Sequence, residues 1–368
     1  MNIRSENLRA VLQAERNPYA LPLGDYAALL RLRGDALNDL VEIADSSRTG
    51  SIGNELTYVA NRNLDPGRVN LDASQLAQFV EDTCGLGATE LCVQGTPGGD
   101  DRDAYCTLIR SLRAADTAIH IHAFRPHEVL DGARRLDVPI REFLRRLRDS
   151  GVDTVPGTGA FVLDDAVRRR SYPEAIPTAM WISTIRTAHS VGLRSTATLV
   201  YGHTESPDQI ARHLDVLRSI QGETAGFTEF IPMRYRGATE HDLGRDRAIH
   251  AVARLQLHGH IDHIQASWPS IGQAHVNTLL LSGADDIGGL LLDGGRHPAL
   301  GGDAGTQLSV ASIRALGHQL NRHVRQRNTT YGDIPEVKTL LPCGRRKLRS
   351  STRSLSAQAS PALPQLSG

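Results

Sequence analysis

The sequence predicts an α/β fold: a TIM-type (β/α)8 barrel with an N-terminal helical extension and a disordered C-terminal tail. Three observations carry this. Eight short β-rich runs alternate with longer helical patterns, the mark of repeated βα units and a parallel sheet. A chain of 368 residues with 40% hydrophobic side chains can fill one large barrel. After Gly332 the composition turns basic and rich in Ser and Pro, which cannot bury a core.

Taken in order, residues 1–48 read as two helices packed across the barrel bottom, with Leu29, Leu30, Leu37 and Leu40 as the apolar side. The barrel is expected over 49–332, with strands at Leu56–Val59, Glu90–Val93, Ala118–Ala123, Thr154–Val155, Ser195–Tyr201, Gly226–Pro232, His263–Ala266 and Asp286–Leu291. Between them, Asp72 with Gln75 three residues on, and Ser206-Pro-Asp-Gln209, are capping signals that start helices. Ile140, Phe143, Leu144 and Leu147 form the apolar stripe of another helix, and Arg141, Arg145, Arg146 and Arg148 its solvated face. The tail is 333–368; its basic run Gly344–Arg349 reads as solvated.

The 41 basic and 41 acidic side chains cancel, so no global field steers the protein to nucleic acid or an anionic membrane. No run approaches the roughly eighteen apolar residues of a spanning helix, and Met1-Asn-Ile-Arg lacks an apolar signal core. The expectation is a soluble cytoplasmic protein without nucleic-acid or membrane partners. Cys84, Cys92, Cys106 and Cys343 are too irregularly spaced for a disulfide framework. Cys84 and Cys92 read as small buried hydrophobes at a helix end and in a strand.

The run Leu56-Thr-Tyr-Val-Ala-Asn-Arg-Asn63 resembles the first barrel strand of FO synthase, on its tyrosine-using (CofH-type) side, a radical SAM family of deazaflavin cofactor biosynthesis. Further motifs follow in order: Gly87-Ala-Thr-Glu-Leu-Cys-Val-Gln-Gly95, Ile119-His-Ile-His-Ala-Phe124, Val155-Pro-Gly-Thr158, Tyr201-Gly-His203, Gly226-Phe-Thr-Glu-Phe-Ile-Pro232, Ile264-Gln-Ala-Ser-Trp268 and the closing Arg325-Gln-Arg-Asn-Thr-Thr-Tyr331. The resemblance implies a barrel in which a [4Fe-4S] cluster cleaves S-adenosyl-L-methionine (SAM) to a 5′-deoxyadenosyl radical. That radical breaks the side chain of L-tyrosine and joins the hydroxybenzyl fragment to 5-amino-6-ribitylaminouracil.

Function in such barrels collects at the C-terminal ends of the strands. The candidate pocket residues are therefore Tyr58, Asn61, Gln94, Gly95, His122, His203, Glu229 and Gln265, with Glu229 and His203 as candidate acid and base. A carboxylate inside a barrel is costly unless paired or ligand-bound, which marks Glu229 as a site residue.

The chain departs from the family where the cofactors bind. The family follows its first strand with Cys-x3-Cys-x2-Cys; here Leu64-Asp-Pro-Gly-Arg-Val-Asn-Leu-Asp72 follows, expected to be a short exposed loop that widens the mouth. Thr96 replaces a glycine of the turn associated with the SAM amino group. Phe161 replaces a glutamate of the SAM pocket, and Leu292-Asp-Gly294 an acidic pattern. Neither [4Fe-4S], SAM nor another metal is expected on this chain; His258-x-His260-x2-His263 lies below the barrel, away from the mouth. One reading is a non-catalytic or repurposed barrel that binds a tyrosine-like or ribitylaminouracil-like small molecule and contacts an FO synthase partner subunit. The other is the tyrosine hydroxyphenyl transferase itself, its cluster loop missing through a gene lesion or sequence error.

Overall fold

The computed structural model describes residues 3–69, 71–235, 242–292, 308–332 and 334. It begins with α1 (Ile3–Arg16), α2 (Leu23–Leu29) and α3 (Asp35–Ile52). The barrel follows: β1 (Glu55–Val59), β2 (Asn61–Leu64), α4 (Ala73–Gly85), β3 (Glu90–Val93), α5 (Ala104–Ala115), β4 (His120–Ala123), α6 (Pro126–Leu136), α7 (Ile140–Ser150) and β5 (Thr154–Val155). Next come α8 (Asp165–Ser171), α9 (Thr178–Ser190), β6 (Arg194–Tyr201), α10 (Pro207–Thr224), β7 (Phe227–Arg234) and α11 (Leu243–Gln256). The described part ends with α12 (Trp268–Ile271), α13 (Val276–Leu280), β8 (Asp286–Gly289), α14 (Val310–Gln319) and β9 (His323–Arg327).

The strands run parallel in two ladders, β2-β3-β4-β5-β6-β7 and β8-β1-β9. They join into the expected (β/α)8-type barrel because β1 passes through Ala60 into β2, while Phe230 bridges Ile264 and Gln265 bridges Asp286. The seventh strand is thus only these bridges: the Asp285 carboxylate takes the Ile264 amide at 2.7 Å, competing with a longer ladder.

Both helix-start signals hold, with reciprocal side-chain and backbone bonds at Asp72/Gln75 and Ser206/Gln209. On α7, Phe143, Leu144 and Leu147 are buried and Arg141, Arg145, Arg146 and Arg148 exposed, so the arginines are the solvated face. The N-terminal helices lie along the barrel flank rather than across its bottom: α2 packs on α10 and α3 on α11. The reason is that α11 is buried all round, with Ala248, Ile249, Val252 and Leu255 inaccessible, and so requires a covering layer. Of the tail 333–368, only Ile334 falls among the described residues.

What closes the barrel is β9, which pairs with β1 from Glu55↔His323 to Val59↔Arg327. It brings Arg327 to Asp286 and Glu229, and the following Thr329 to Glu90, inside the bore.

Candidate ligand cavity at the barrel mouth

At the C-terminal ends of the strands lies a cavity of about 610 Å³, a size suited to a small organic ligand. Gln94 follows β3, Thr158 follows β5, Val200 belongs to β6 and Met233 to β7, so four barrel strands frame it. Phe161, Tyr172 and Trp181 add aromatic walls from the loop before α8, the end of that helix and α9. Phe161 sits in the left-handed region at φ 46, uncommon for a bulky residue. Its loop is tied down by Arg168, which donates to the carbonyls of Ala160, Gly159 and Ile176. The Phe161 ring stacks on Tyr172 at 4.0 Å and 15°. Burial raises the Tyr172 phenol above its ordinary value, so it stays a neutral donor at any physiological pH.

Of the residues expected to line the pocket, Gln94 does. His203 is exposed and lines an adjoining cleft of about 790 Å³, its Nδ1 3.1 Å from Ser171 Oγ and its ring 4.6 Å from Tyr235. That cleft's arginines are already matched: Arg31 to Asp208, Arg33 to Asp242, Arg234 to Asp246 and Arg245 to Glu205. Glu229, 2% exposed, faces the closing segment instead of the mouth, paired with Arg327 at 2.6 Å and accepting from Tyr331 Oη at 2.9 Å. Burial is the main influence pushing its carboxyl up to about 7; Arg327 pulls back and Asp286 adds to the rise. Glu229 and His203 therefore line no common cavity.

The remaining candidates are held in the frame. His122 Nδ1 and His120 Nε2 both lie 2.7 Å from the Thr154 hydroxyl, and burial lowers His122 to about 4, keeping it neutral. Gln265 donates to Asp286 at 3.3 Å, and Tyr58 donates to Gln326 at 3.3 Å between β1 and β9. Asn61 accepts from the Leu291 amide at 3.3 Å, and a side chain on Gly289 would collide with its amide. In each case a polar strand residue below the rim is engaged by a neighbouring part of the barrel frame.

Gly95 stands at φ 137, and a Cβ there would strike the Asp65 carboxylate and Pro66. The loop after β2 is tight, with Arg68 and Val69 donating to the Asp65 carbonyl at 3.1 Å, and it folds down over the end of β3. None of its described residues lines the mouth cavity. In the Gly95–Thr96 turn, where the resemblance puts the SAM amino group, Gly95 is therefore covered by Asp65 and Pro66 while Thr96 is exposed.

A [4Fe-4S] cluster is held by clustered cysteine thiolates. Cys84 lies at the end of α4 with its Sγ 3.0 Å from Asp116, Cys92 lies in β3 facing Glu90, and Cys106 is buried in α5. Burial pushes the Cys106 thiol up to about 11 and Cys92 well above its ordinary value, opposing thiolate formation. Among the described residues no three His, Cys, Asp or Glu side chains could hold a metal; Cys343 lies outside them. His258 stacks on Tyr19 while His263 pairs with Asp285 and stacks on Tyr331. The described residues do not fit the cluster.

Sequence reasoning missed Trp181, Tyr172, Thr158 and Met233. Trp181 reads as the apolar face of a helix, and nothing in a sequence tells whether an indole N–H is paired. Among the described residues no helix is long and apolar enough to cross a membrane.

No protein-family model matches the chain. FO synthase of Mycobacterium tuberculosis is 37% identical over 364 residues, covering 89% of this chain and 42% of the relative. FO synthase of Nocardia farcinica is 36% identical over 365 residues, 90% of this chain and again 42% of the relative. The chain thus spans less than half the length of these proteins. It spans 88% of 5-amino-6-(D-ribitylamino)uracil–L-tyrosine 4-hydroxyphenyl transferase 1 of Methanosarcina mazei, 34% identical over 330 residues and 81% of this chain. Among solved structures, the FeFe-hydrogenase maturase HydG from Carboxydothermus hydrogenoformans aligns with a TM-score of 0.66 at 11% identity, covering 89% of this chain and 81% of that one. Methylornithine synthase (PylB) aligns with a TM-score of 0.57 at 13% identity, over 86% and 95%. Those two share the fold, whereas the sequence relatives fix the kinship: the chain belongs to the FO synthase and 5-amino-6-(D-ribitylamino)uracil–L-tyrosine 4-hydroxyphenyl transferase family.

Proposed function

We propose that this chain serves FO biosynthesis as a cluster-less family member that binds a small molecule in the mouth cavity and does no radical chemistry. The ligand is tyrosine-like or ribitylaminouracil-like. The observation that carries this is the pairing of a kept cavity with a lost cofactor apparatus: strand ends frame about 610 Å³, while Asp65 and Pro66 cover the turn at Gly95 and the described cysteines are dispersed. The kinship with FO synthase supports a protein of the same family as its partner. The cytoplasm is the compartment this reading implies.

The test is anaerobic incubation of iron- and sulfide-treated protein with dithionite, SAM, tyrosine and the aminouracil. The expected result is no 5′-deoxyadenosine above a no-protein control, alongside measurable binding of tyrosine or the aminouracil by calorimetry. Production of 5′-deoxyadenosine overturns the cluster-less reading, and absence of all binding overturns the cavity reading.

A further inference from the structure

The side chain of Trp181 is wholly buried, yet its indole nitrogen, which can only donate, meets no acceptor among the described residues. The other tryptophan shows that the fold can satisfy such a group: Trp268 donates to the Gly289 carbonyl at 2.9 Å. A buried donor without an acceptor is destabilising, so such groups are rare and call for an explanation. Trp181 is also not isolated. Gln94 Oε1, Thr158 Oγ1 and the Tyr172 hydroxyl are likewise buried without a partner, and all four residues line the mouth cavity. The other side chains in that condition, such as His213, His250 and Asn277, do not line it.

The chemistry of these atoms is specific. Trp181 offers a donor, Gln94 Oε1 an acceptor, and the hydroxyls of Thr158 and Tyr172 either. None is charged, and the nearby Arg125 is engaged by Glu128. Phe161, Ile176, Val200 and Met233 add apolar wall, while His127, 3.8 Å from Glu128, and the exposed Glu174 also line the cavity. A neutral hydroxyl on an aromatic ring complements such a wall, because it accepts one hydrogen bond and donates another. A carboxylate on the ring would find no free cation beside these four atoms.

We propose that Trp181 is a specificity-determining residue of the mouth cavity: its indole N–H donates to a ring hydroxyl of the ligand, whose own proton goes to Gln94. This rests on the reading that the cavity takes a tyrosine-like ligand, and it names what in that ligand is recognised.

The experiment compares L-tyrosine with L-phenylalanine, which differ only in the ring hydroxyl. Calorimetry on the full chain should show tyrosine bound about tenfold more tightly, in line with one hydrogen bond to an otherwise unpaired buried group. Trp181→Phe should remove about tenfold of tyrosine affinity and leave phenylalanine within about twofold, so that the preference collapses. Tyr172→Phe, which keeps the ring on Phe161, should shift the preference the same way. An observation on the unmodified protein guards against a misfolded variant: in a ¹⁵N NMR spectrum the Trp181 indole resonance should move on adding tyrosine and stay put with phenylalanine. Equal binding of the two amino acids, or an unchanged preference in Trp181→Phe, overturns the assignment while the cavity reading stands. Failure of both to bind overturns the assignment and the tyrosine-like ligand together.

Discussion

Arg327 Nη2 donates to Glu229 Oε2 at 2.6 Å, joining the last described strand to the sixth strand of the ring. The same guanidinium grips Asp286 with Nε and Nη2, each at 2.8 Å, and the Tyr331 ring lies 4.3 Å from it. One arginine thus neutralises carboxylates from two walls of the bore, both almost wholly buried.

Removing that arginine leaves two buried carboxylates uncompensated. Arg327→Met should destabilise the fold by about 3–5 kcal/mol, read from urea unfolding at neutral pH. Glu229→Gln should cost less, because Arg327 keeps Asp286. Equal losses in the two variants would mean that Arg327 does not act as the shared partner.

Acid should unfold the protein earlier than a carboxylate-only account predicts. Burial chiefly lowers His122 and His189 to about 4 and His213 to about 3, against an ordinary value of 6.5. Each is neutral in the fold but takes a proton in the unfolded chain below about 6.5, so the unfolded state binds more protons and stability falls as pH drops toward 4. Glu229, raised to about 7, works in the opposite sense: its contribution is full below its unfolded value and is lost as pH rises through about 7. Three histidines outweigh one carboxyl, so unfolding free energy measured at decreasing pH should fall between pH 6.5 and 5 by an amount on the order of several kcal/mol. His213→Gln, which can still accept from the Leu163 amide, should flatten that slope. A flat profile in the wild-type chain would contradict these burials.

The Ser206 cap starts a helix that carries the N-terminal layer: its hydroxyl accepts from the Gln209 amide at 3.3 Å, and α10 packs on α2. Ser206→Ala should cost about 1 kcal/mol in chemical unfolding. A loss below a few tenths would show that the proline at the next position suffices to fix the helix start.

The frame was legible in the sequence because it depends on local rules. Period, caps and turn residues placed the strands of the ring and the helices between them, and the arginine face of α7 needed only its spacing. Legibility failed where a residue's role depends on a partner far along the chain. Glu229 on a strand signals a buried carboxylate needing a partner, but not that Arg327, almost a hundred positions away, supplies it. His122 reads as a mouth residue until Thr154, on the next strand, claims its ring. Trp181 was invisible for the complementary reason: apolar spacing places an indole in a core and says nothing about its N–H.

The fold of the shortened loop supplies the last prediction. Gly95 adopts φ 137, a conformation that side-chain-bearing residues rarely reach, and its amide donates to Glu128 at 2.6 Å. Above it, Asp65 also ties the loop to itself by accepting from the Gly67 amide at 3.0 Å. Gly95→Ala therefore meets two separate obstacles, a strained backbone and a collision with the Asp65 carboxylate, and should destabilise the chain by roughly 1–3 kcal/mol. Adding Asp65→Ala should recover the steric part and leave the backbone part, so the two changes should be non-additive in urea unfolding. Strict additivity would show that Asp65 does not rest on this turn, and the turn would then be open to a ligand after all.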